Sequence, residues 1–262
     1  MRRLVALGVA ALTLMAVGCG SSGEPTIAAG GNQEREITVF AASSLTAAFT
    51  QIGKDFEATN PGLTVTFNFG PSDGLAGQIE SEGVADVFAS ASPTWMDDLA
   101  SATGVTQRTD FAQNKLVIIT PPDDPAGIGS IQDLAGPSVQ LVLAAVGVPV
   151  GDYARQVLRN VGIAKAAAGN VVSNEQDDAS VVAKIASGEA DAGIVYASDV
   201  TETVAPTVHA IEIPSDVNVI ATYPIAVVDG SKSTDLARAF VRYVSGPDGQ
   251  ATLRAFGFLL PT

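Results

Sequence analysis

Ile37-Thr38-Val39-Phe40-Ala41-Ala42-Ser43-Ser44-Leu45-Thr46-Ala47-Ala48-Phe49 changes period in its middle. Its first half is a short apolar run ending in small residues, as a buried strand does. From Leu45 on, the apolar positions Leu45, Ala48, Phe49, Ile52 and Phe56 fall on one face of a 3.6-residue helix. A strand therefore hands over to a helix at Ser43-Ser44. A serine at such a point caps the helix, because its oxygen accepts from a backbone N–H without an intrahelical partner. The same N–H groups and hydroxyls can also hold an anion. One junction of this kind is a cap, whereas several aimed into one cleft make a binding site.

The pattern continues outward from that segment. Residues 63–69 alternate as a strand after the Asn60-Pro61-Gly62 turn, and Gly70-Pro71-Ser72-Asp73-Gly74 leads into a helix carrying Leu75 and Ile79. Residues 85–89 read as a strand, and Pro93 opens a helix through Trp95 and Leu99. Residues 115–120 and 139–145 form buried strands, and Gly151-Asp152-Tyr153 starts a helix. Val181, Val182 and Ile185 line another helix before the strand at 192–196; a strand at 223–228 and two helices close the chain. Strands alternating with helices predict an α/β fold, with mostly parallel sheets flanked by helices.

At the N-terminus, Arg2 and Arg3 precede an apolar stretch over 4–17 and then Gly18-Cys19-Gly20-Ser21-Ser22-Gly23. The stretch is too short to span a bilayer. A basic start, a short apolar core and small residues before a break predict a secretory signal over 1–18. Cys19 is the only cysteine, which excludes an internal disulfide. Its place after Ala16-Val17-Gly18 resembles the bacterial lipoprotein signal, in which this cysteine becomes the acylated N-terminal residue. A lone exposed thiol on a secreted protein is otherwise a liability, and two or three acyl chains anchor stably. Residues 19–35 are polar and small and read as a flexible tether. The folded part, from 36 on, suits two lobes of roughly 100 residues each.

The chain has 14 Lys+Arg and 28 Asp+Glu; Arg2 and Arg3 leave with the signal, so the remainder carries a formal charge of 12 − 28 = −16. This excludes nucleic acid as a partner, since phosphate backbones need clustered positive charge. The same field repels an anion at long range. Any anion site here must work through close dipoles.

Enzyme signatures are sparse: no P-loop or H-E-x-x-H occurs. A single histidine, His209, reads as a surface or edge residue and cannot build a His-rich metal site. The Asp97-Asp98 and Asp123-Asp124 pairs read as solvated charges, and Trp95-Met96 as core packing. Neither cofactor nor structural metal is expected. Four strand-to-helix handovers stand out instead: Ser43-Ser44, Ser72, Pro149-Val150-Gly151 and Asp177-Asp178. Each offers free backbone N–H groups, and the serines add hydroxyl donors. In open α/β sheets, ligands bind beyond the carboxyl ends of the strands. Together these junctions suit a small tetrahedral oxyanion held without a countercharge.

The runs Val39-Phe40-Ala41-Ala42-Ser43-Ser44-Leu45-Thr46, Gly77-Gln78-Ile79-Glu80, Ala85-Asp86-Val87-Phe88-Ala89-Ser90-Ala91, Trp95-Met96-Asp97 and Gly193-Ile194-Val195-Tyr196-Ala197-Ser198-Asp199 resemble the signature runs of the molybdate-binding proteins of ABC transporters. Tyr223-Pro224-Ile225-Ala226-Val227-Val228, Gly246-Pro247 and Gly257-Phe258 extend the resemblance to the C-terminus. It implies a two-lobed periplasmic-binding fold, with lobe 1 formed by 36–115 and 222–262, lobe 2 by 116–221, and the ligand in the hinge cleft. It further implies a monomer, a molybdate or tungstate ligand, an ABC permease as partner and, with Cys19, a lipid-anchored place on the outer face of the cell membrane. Matched position by position, the ligand donors are Ser44, Ser72, the backbone of Val150, the backbone of Asp178 and the Tyr196 hydroxyl. Asp73 and Asp178 depart from the family pattern, and a carboxylate facing a dianion is unfavourable unless it is protonated or turned away.

Three other readings compete. A sulfate or phosphate receptor of the same fold is one: an inward Asp73 or Asp178 would accept from the hydroxyl of protonated phosphate. If both carboxylates turn away, the expected order is molybdate and tungstate, then sulfate, then phosphate. An enzyme on this scaffold lacks a nucleophile–base pair with an orienting group. A structural cell-surface protein leaves the four junctions without a shared purpose.

Overall fold

The computed structural model describes residues 35–261. The expected signal at 1–18, the lipidation site Cys19 and the tether up to 34 lie outside the described residues. Arg35, placed at the end of that tether by the sequence, already belongs to the first strand.

In chain order the elements are β1 (Arg35–Ala42), α1 (Thr46–Thr59), β2 (Leu63–Gly70), α2 (Ser72–Glu82), β3 (Val87–Ala89), α3 (Pro93–Ala102), β4 (Val105–Thr120) and β5 (Leu141–Ala144). Then come α4 (Pro149–Val161), α5 (Ala164–Asn170), β6 (Val171–Glu175), α6 (Asp178–Ala186), β7 (Ala192–Tyr196), β8 (His209–Glu212), β9 (Ile220–Val228), α7 (Thr234–Ser245) and α8 (Pro247–Ala255). The strands order as β2-β1-β3-β9-β4-β7-β5-β6, with β8 also on β4. This is a mixed α/β fold around a central sheet.

The outer pairs β1/β2, β1/β3, β5/β6 and β5/β7 are parallel. Every antiparallel pairing involves β4 or β9. Strand β4 explains why. Its first part, up to Lys115, lies on β9; from Leu116 it pairs with β7, and from Val117 also with β8. One long strand thus runs from one half of the sheet into the other, and β9 runs back beside it. Sequence reading places only 115–120 in this strand. The segment from Thr106 to Asp110 escapes it because these residues are polar and largely exposed, so no apolar period marks them. Strand β6, which alternates half-buried and exposed positions, and helix α5 are likewise not foreseen.

The apolar face of α1 packs Phe49, Ile52 and Phe56 into the core. Phe49 meets Phe111 of β4 at 5.6 Å between ring centres, Phe111 meets Tyr223 of β9 at 6.4 Å, and Tyr223 meets Tyr196 of β7 at 5.7 Å. Such offset or edge-on pairs add to burial. This chain of rings joins the core under α1 to the end of β7. Of the Trp95-Met96 pair, only Met96 is fully in the core. Trp95 is half-buried, and its indole N–H donates to the Gly147 carbonyl at 2.9 Å, tying α3 to the loop before α4.

Candidate functional site

The carboxyl ends of β1, β2 and β7, the turn after β5 and the helix starts around them meet at one small cavity. Its wall includes Ser43, Ser44, Ser72, Val150, Asp178 and Tyr196. All five residues expected to contact a ligand are therefore brought together. Among the described residues, no lysine or arginine lines the cavity.

The serines do not cap. Neither the turn at Ser43–Leu45 nor α1 has a side-chain cap, and α2, which begins at Ser72, has none either. Only the fourth junction behaves as a plain cap: Asp177 accepts from the Ser180 N–H at 2.8 Å. The uncommitted hydroxyls turn elsewhere. Ser72 Oγ accepts from the Ala91 N–H at 3.0 Å, which leaves its proton free to donate. Ser44 Oγ lies 3.0 Å from the Tyr223 hydroxyl. Asn114 sets the direction of that bond. Its Oδ1 accepts from the Lys115 N–H at 3.0 Å, so its amide nitrogen faces Ser198 Oγ at 2.8 Å and Tyr223 at 3.5 Å. Facing a donor, Tyr223 passes its own proton to Ser44, and the Ser44 proton is left for the cavity.

Val150 follows Pro149 in the first turn of α4, where backbone N–H groups have no intrahelical acceptor. Gly151 permits this placement: a Cβ there would stand 2.4 Å from the Ala144 carbonyl oxygen. Arg155 pins the helix start by donating to the Ala144 and Gly151 carbonyls at 2.7 and 2.8 Å. Tyr196 completes the donor set. Its ring is 1% exposed, and its hydroxyl is buried without a hydrogen-bond partner. Burial first, then the neighbouring Tyr223, Tyr153 and aspartates, hold its ionisation well above the usual tyrosine range, so it stays a donor. A buried polar group left unpaired is rare and calls for a ligand or a water.

The two unusual carboxylates separate. Asp73 does not line the cavity, whereas Asp178 does and is 3% exposed. Ser43 Oγ donates to Asp178 Oδ1. Behind it, Asp199 shares a hydrogen bond with Asp178 and accepts from the Tyr196 N–H at 2.9 Å. Two carboxyls bond to each other only through a proton. Desolvation raises both, Asp199 far above the ordinary carboxylate range with the Asp178 charge adding to the rise. The two carboxyls therefore hold a proton in common. Sequence reading missed Ser43 as a partner of Asp178, and it missed Asp199, Tyr223 and Asn114 altogether. Asp199 and Tyr223 lie in the motif runs, but nothing in those runs signals their role.

The other singled-out residues are accounted for elsewhere. His209 is exposed on β8, Asp97 pairs with Arg108, and Asp124 accepts from the Ile128 N–H at 3.0 Å. Among the described residues, no group of three or more His, Cys, Asp or Glu is arranged to hold a metal ion. A wider cleft along residues 125–140 and Asp191 contains no unpartnered buried polar side-chain atom.

Residues 37–259 match the model of the family described as bacterial extracellular solute-binding protein. The chain belongs to this family. It is 40% identical over 247 residues to the molybdate-binding protein ModA of Mycobacterium tuberculosis, covering 94% of this chain and 93% of the relative. Among solved structures, the periplasmic molybdate-binding protein of Azotobacter vinelandii aligns with a TM-score of 0.76 at 21% identity, over 86% of this chain and all of that one. The sulfate-binding protein SubI of M. tuberculosis aligns at 0.74 and 16% identity, over 86% of each chain, a likeness of fold alone. Members of the family are extracytoplasmic binding proteins of ABC transporters, not enzymes.

The carboxyl pair has a measurable consequence for stability. A carboxyl raised in the folded state holds its proton more tightly there, so its contribution to stability is full at low pH. That contribution is lost as pH climbs from the unfolded carboxylate range, about 4, through the folded value. Asp199→Asn keeps the shape, and its amide donates to Asp178 without a titrating proton. Urea unfolding from pH 4 upward should show wild type losing stability relative to Asp199→Asn, by up to about 1.4 kcal/mol per pH unit. Parallel curves would show that the pair shares no proton.

Proposed function

We propose that this protein captures molybdate, and tungstate with it, outside the cytoplasm and delivers it to an ABC permease. One observation supports this above the rest: the buried, unpartnered Tyr196 hydroxyl shares a cation-free cavity with two serines whose acceptor sides face other donors. A fully deprotonated tetrahedral oxyanion offers only acceptors and suits such a wall. The name of the M. tuberculosis relative points to the same ligand. On this reading Ser44, Ser72 and Tyr196 donate hydroxyls, and Val150 and Asp178 donate backbone N–H groups. No cofactor takes part, and the protein acts as a monomer. Residues 36–115 with 222–262 form one lobe and 116–221 the other, with β4 and β9 as the strands about which they close.

A phosphate receptor is the second reading, because Asp178 faces the cavity. The order molybdate, sulfate, phosphate assumes that both unusual carboxylates point away, and only Asp73 is absent from the wall. An inward acceptor narrows the disadvantage of a protonated oxyanion. Sulfate must be sorted by size, since it is smaller than molybdate and stretches every contact.

Calorimetry with molybdate tests the donor set. Ser44→Ala, Ser72→Ala and Tyr196→Phe should each weaken binding by about 1.5–3 kcal/mol, one to two decades. Substitution at Val150 should matter less, because its backbone donates. Wild-type affinity in both serine variants would place the ligand elsewhere.

The anchor is tested separately. With acyl chains on Cys19 the protein fractionates with membranes, and Cys19→Ser should release it. A wild-type mass without lipid, together with unchanged fractionation of the variant, contradicts the anchor.

A further inference from the structure

Asp178 presents a puzzle that the donor set alone does not resolve. It lines the cavity, its carboxyl accepts from Ser43 Oγ, and it shares its burial and a proton with Asp199 behind it. An oxyanion entering the cavity therefore meets a wall that carries the negative charge of the Asp178–Asp199 pair. No neighbouring group offsets that charge. Asp177, the preceding residue, is another carboxylate, held on the Ser180 N–H. Lys184, further along α6, is paired with Glu175 at 2.9 Å. Arg155 of α4 is spent on the Ala144 and Gly151 carbonyls and on Asn174. Lys54 of α1 lines the outer groove shared by Asp178 and Asp199, not the cavity. Tyr196 and Tyr223, from β7 and β9, face the pair as neutral hydroxyls. Like charges this close and this desolvated do not both persist.

We propose that capture of a dianionic oxyanion is coupled to the uptake of one proton by the Asp178–Asp199 pair, which converts Asp178 from an acceptor into a donor to the ligand. This rests on the oxyanion reading of the cavity and deepens it. The proton comes from solvent and settles on the free Asp178 oxygen. The pair keeps the proton it already shares, so it becomes neutral as the dianion arrives. No covalent bond is made or broken. The same device sorts ligands by their own protonation. Molybdate and sulfate, which carry no proton near neutrality, must draw one from solvent. Hydrogen phosphate brings a hydroxyl that donates directly to the Asp178 carboxylate, and it binds without uptake. Rising pH therefore erodes the preference for molybdate over phosphate.

The test is isothermal titration calorimetry of the intact folded protein with sodium molybdate at pH 7 to 9. Two buffers of different ionisation enthalpy at each pH count the protons. The expected result is close to one proton taken up per molybdate, with affinity falling about tenfold per pH unit. Hydrogen phosphate, titrated in parallel, should show no uptake, and Asp178→Asn should bind molybdate with a flat pH profile. Because the proton count is made on wild type, it stands even if the variant does not fold. Molybdate binding that is flat with pH and takes up no proton overturns the coupling while leaving the oxyanion site standing. No heat from molybdate, sulfate or phosphate at any pH overturns the site reading, and the coupling with it.

Discussion

Helix starts that are not capped by their own side chains govern this structure. At Ser43-Ser44 and Ser72 the residue type that ordinarily satisfies a first-turn N–H is present, yet it bonds elsewhere. That leaves backbone donors and hydroxyl protons without intrahelical partners, a state that is unfavourable in a buried place unless something else accepts. The fold maintains it from outside the helices. Ala91 holds Ser72, Tyr223 holds Ser44, and Asn114 orients Tyr223. Gly151 and Arg155 press the start of α4 against the end of β5. Strands β4 and β9 carry Asn114 and Tyr223, so the pair that joins the two halves of the sheet also sets the polarity of the cavity.

Charge follows the same logic. A chain this acidic has no long-range attraction to offer an anion, and the cavity contains no cation. Attraction comes from short-range dipoles in a desolvated place, where each counts for more than it does in water. The cost of that setting is visible at Asp178 and Asp199, which burial forces to share a proton. Tyr196 belongs to both systems. Its N–H donates to Asp199 and its hydroxyl faces the cavity, so one residue links the carboxyl pair to the binding wall.

Local features of the sequence carry a good deal of this. The change of period at Ser43-Ser44 marks the end of β1 and the start of the following helix because apolar spacing is a local property. The four junctions point to one site because the two parallel sets of strands run in opposite directions and bring their carboxyl ends face to face where β4 and β9 pass between them. The polar half of β4 escapes notice because its exposed side chains bear no apolar rhythm. Asp199, Tyr223 and Asn114 escape for a different reason, since their roles depend on contacts far apart in sequence. Ser44 and Tyr223 are separated by 179 residues, and Asn114 and Ser198 by 84. Asp178 was recognisable as unusual, but which way it faces and what stands behind it depend on that long-range packing.

The central claim is that the hydroxyls of Ser44, Ser72 and Tyr196 converge on one oxyanion in a cavity without a cation. Crystals grown with molybdate and measured at the molybdenum absorption edge address it directly. The account predicts a single strong anomalous peak inside the cavity, within hydrogen-bond reach of those three hydroxyls and the Val150 N–H. A peak at any other place, or none in a well-ordered crystal at saturating molybdate, would contradict it.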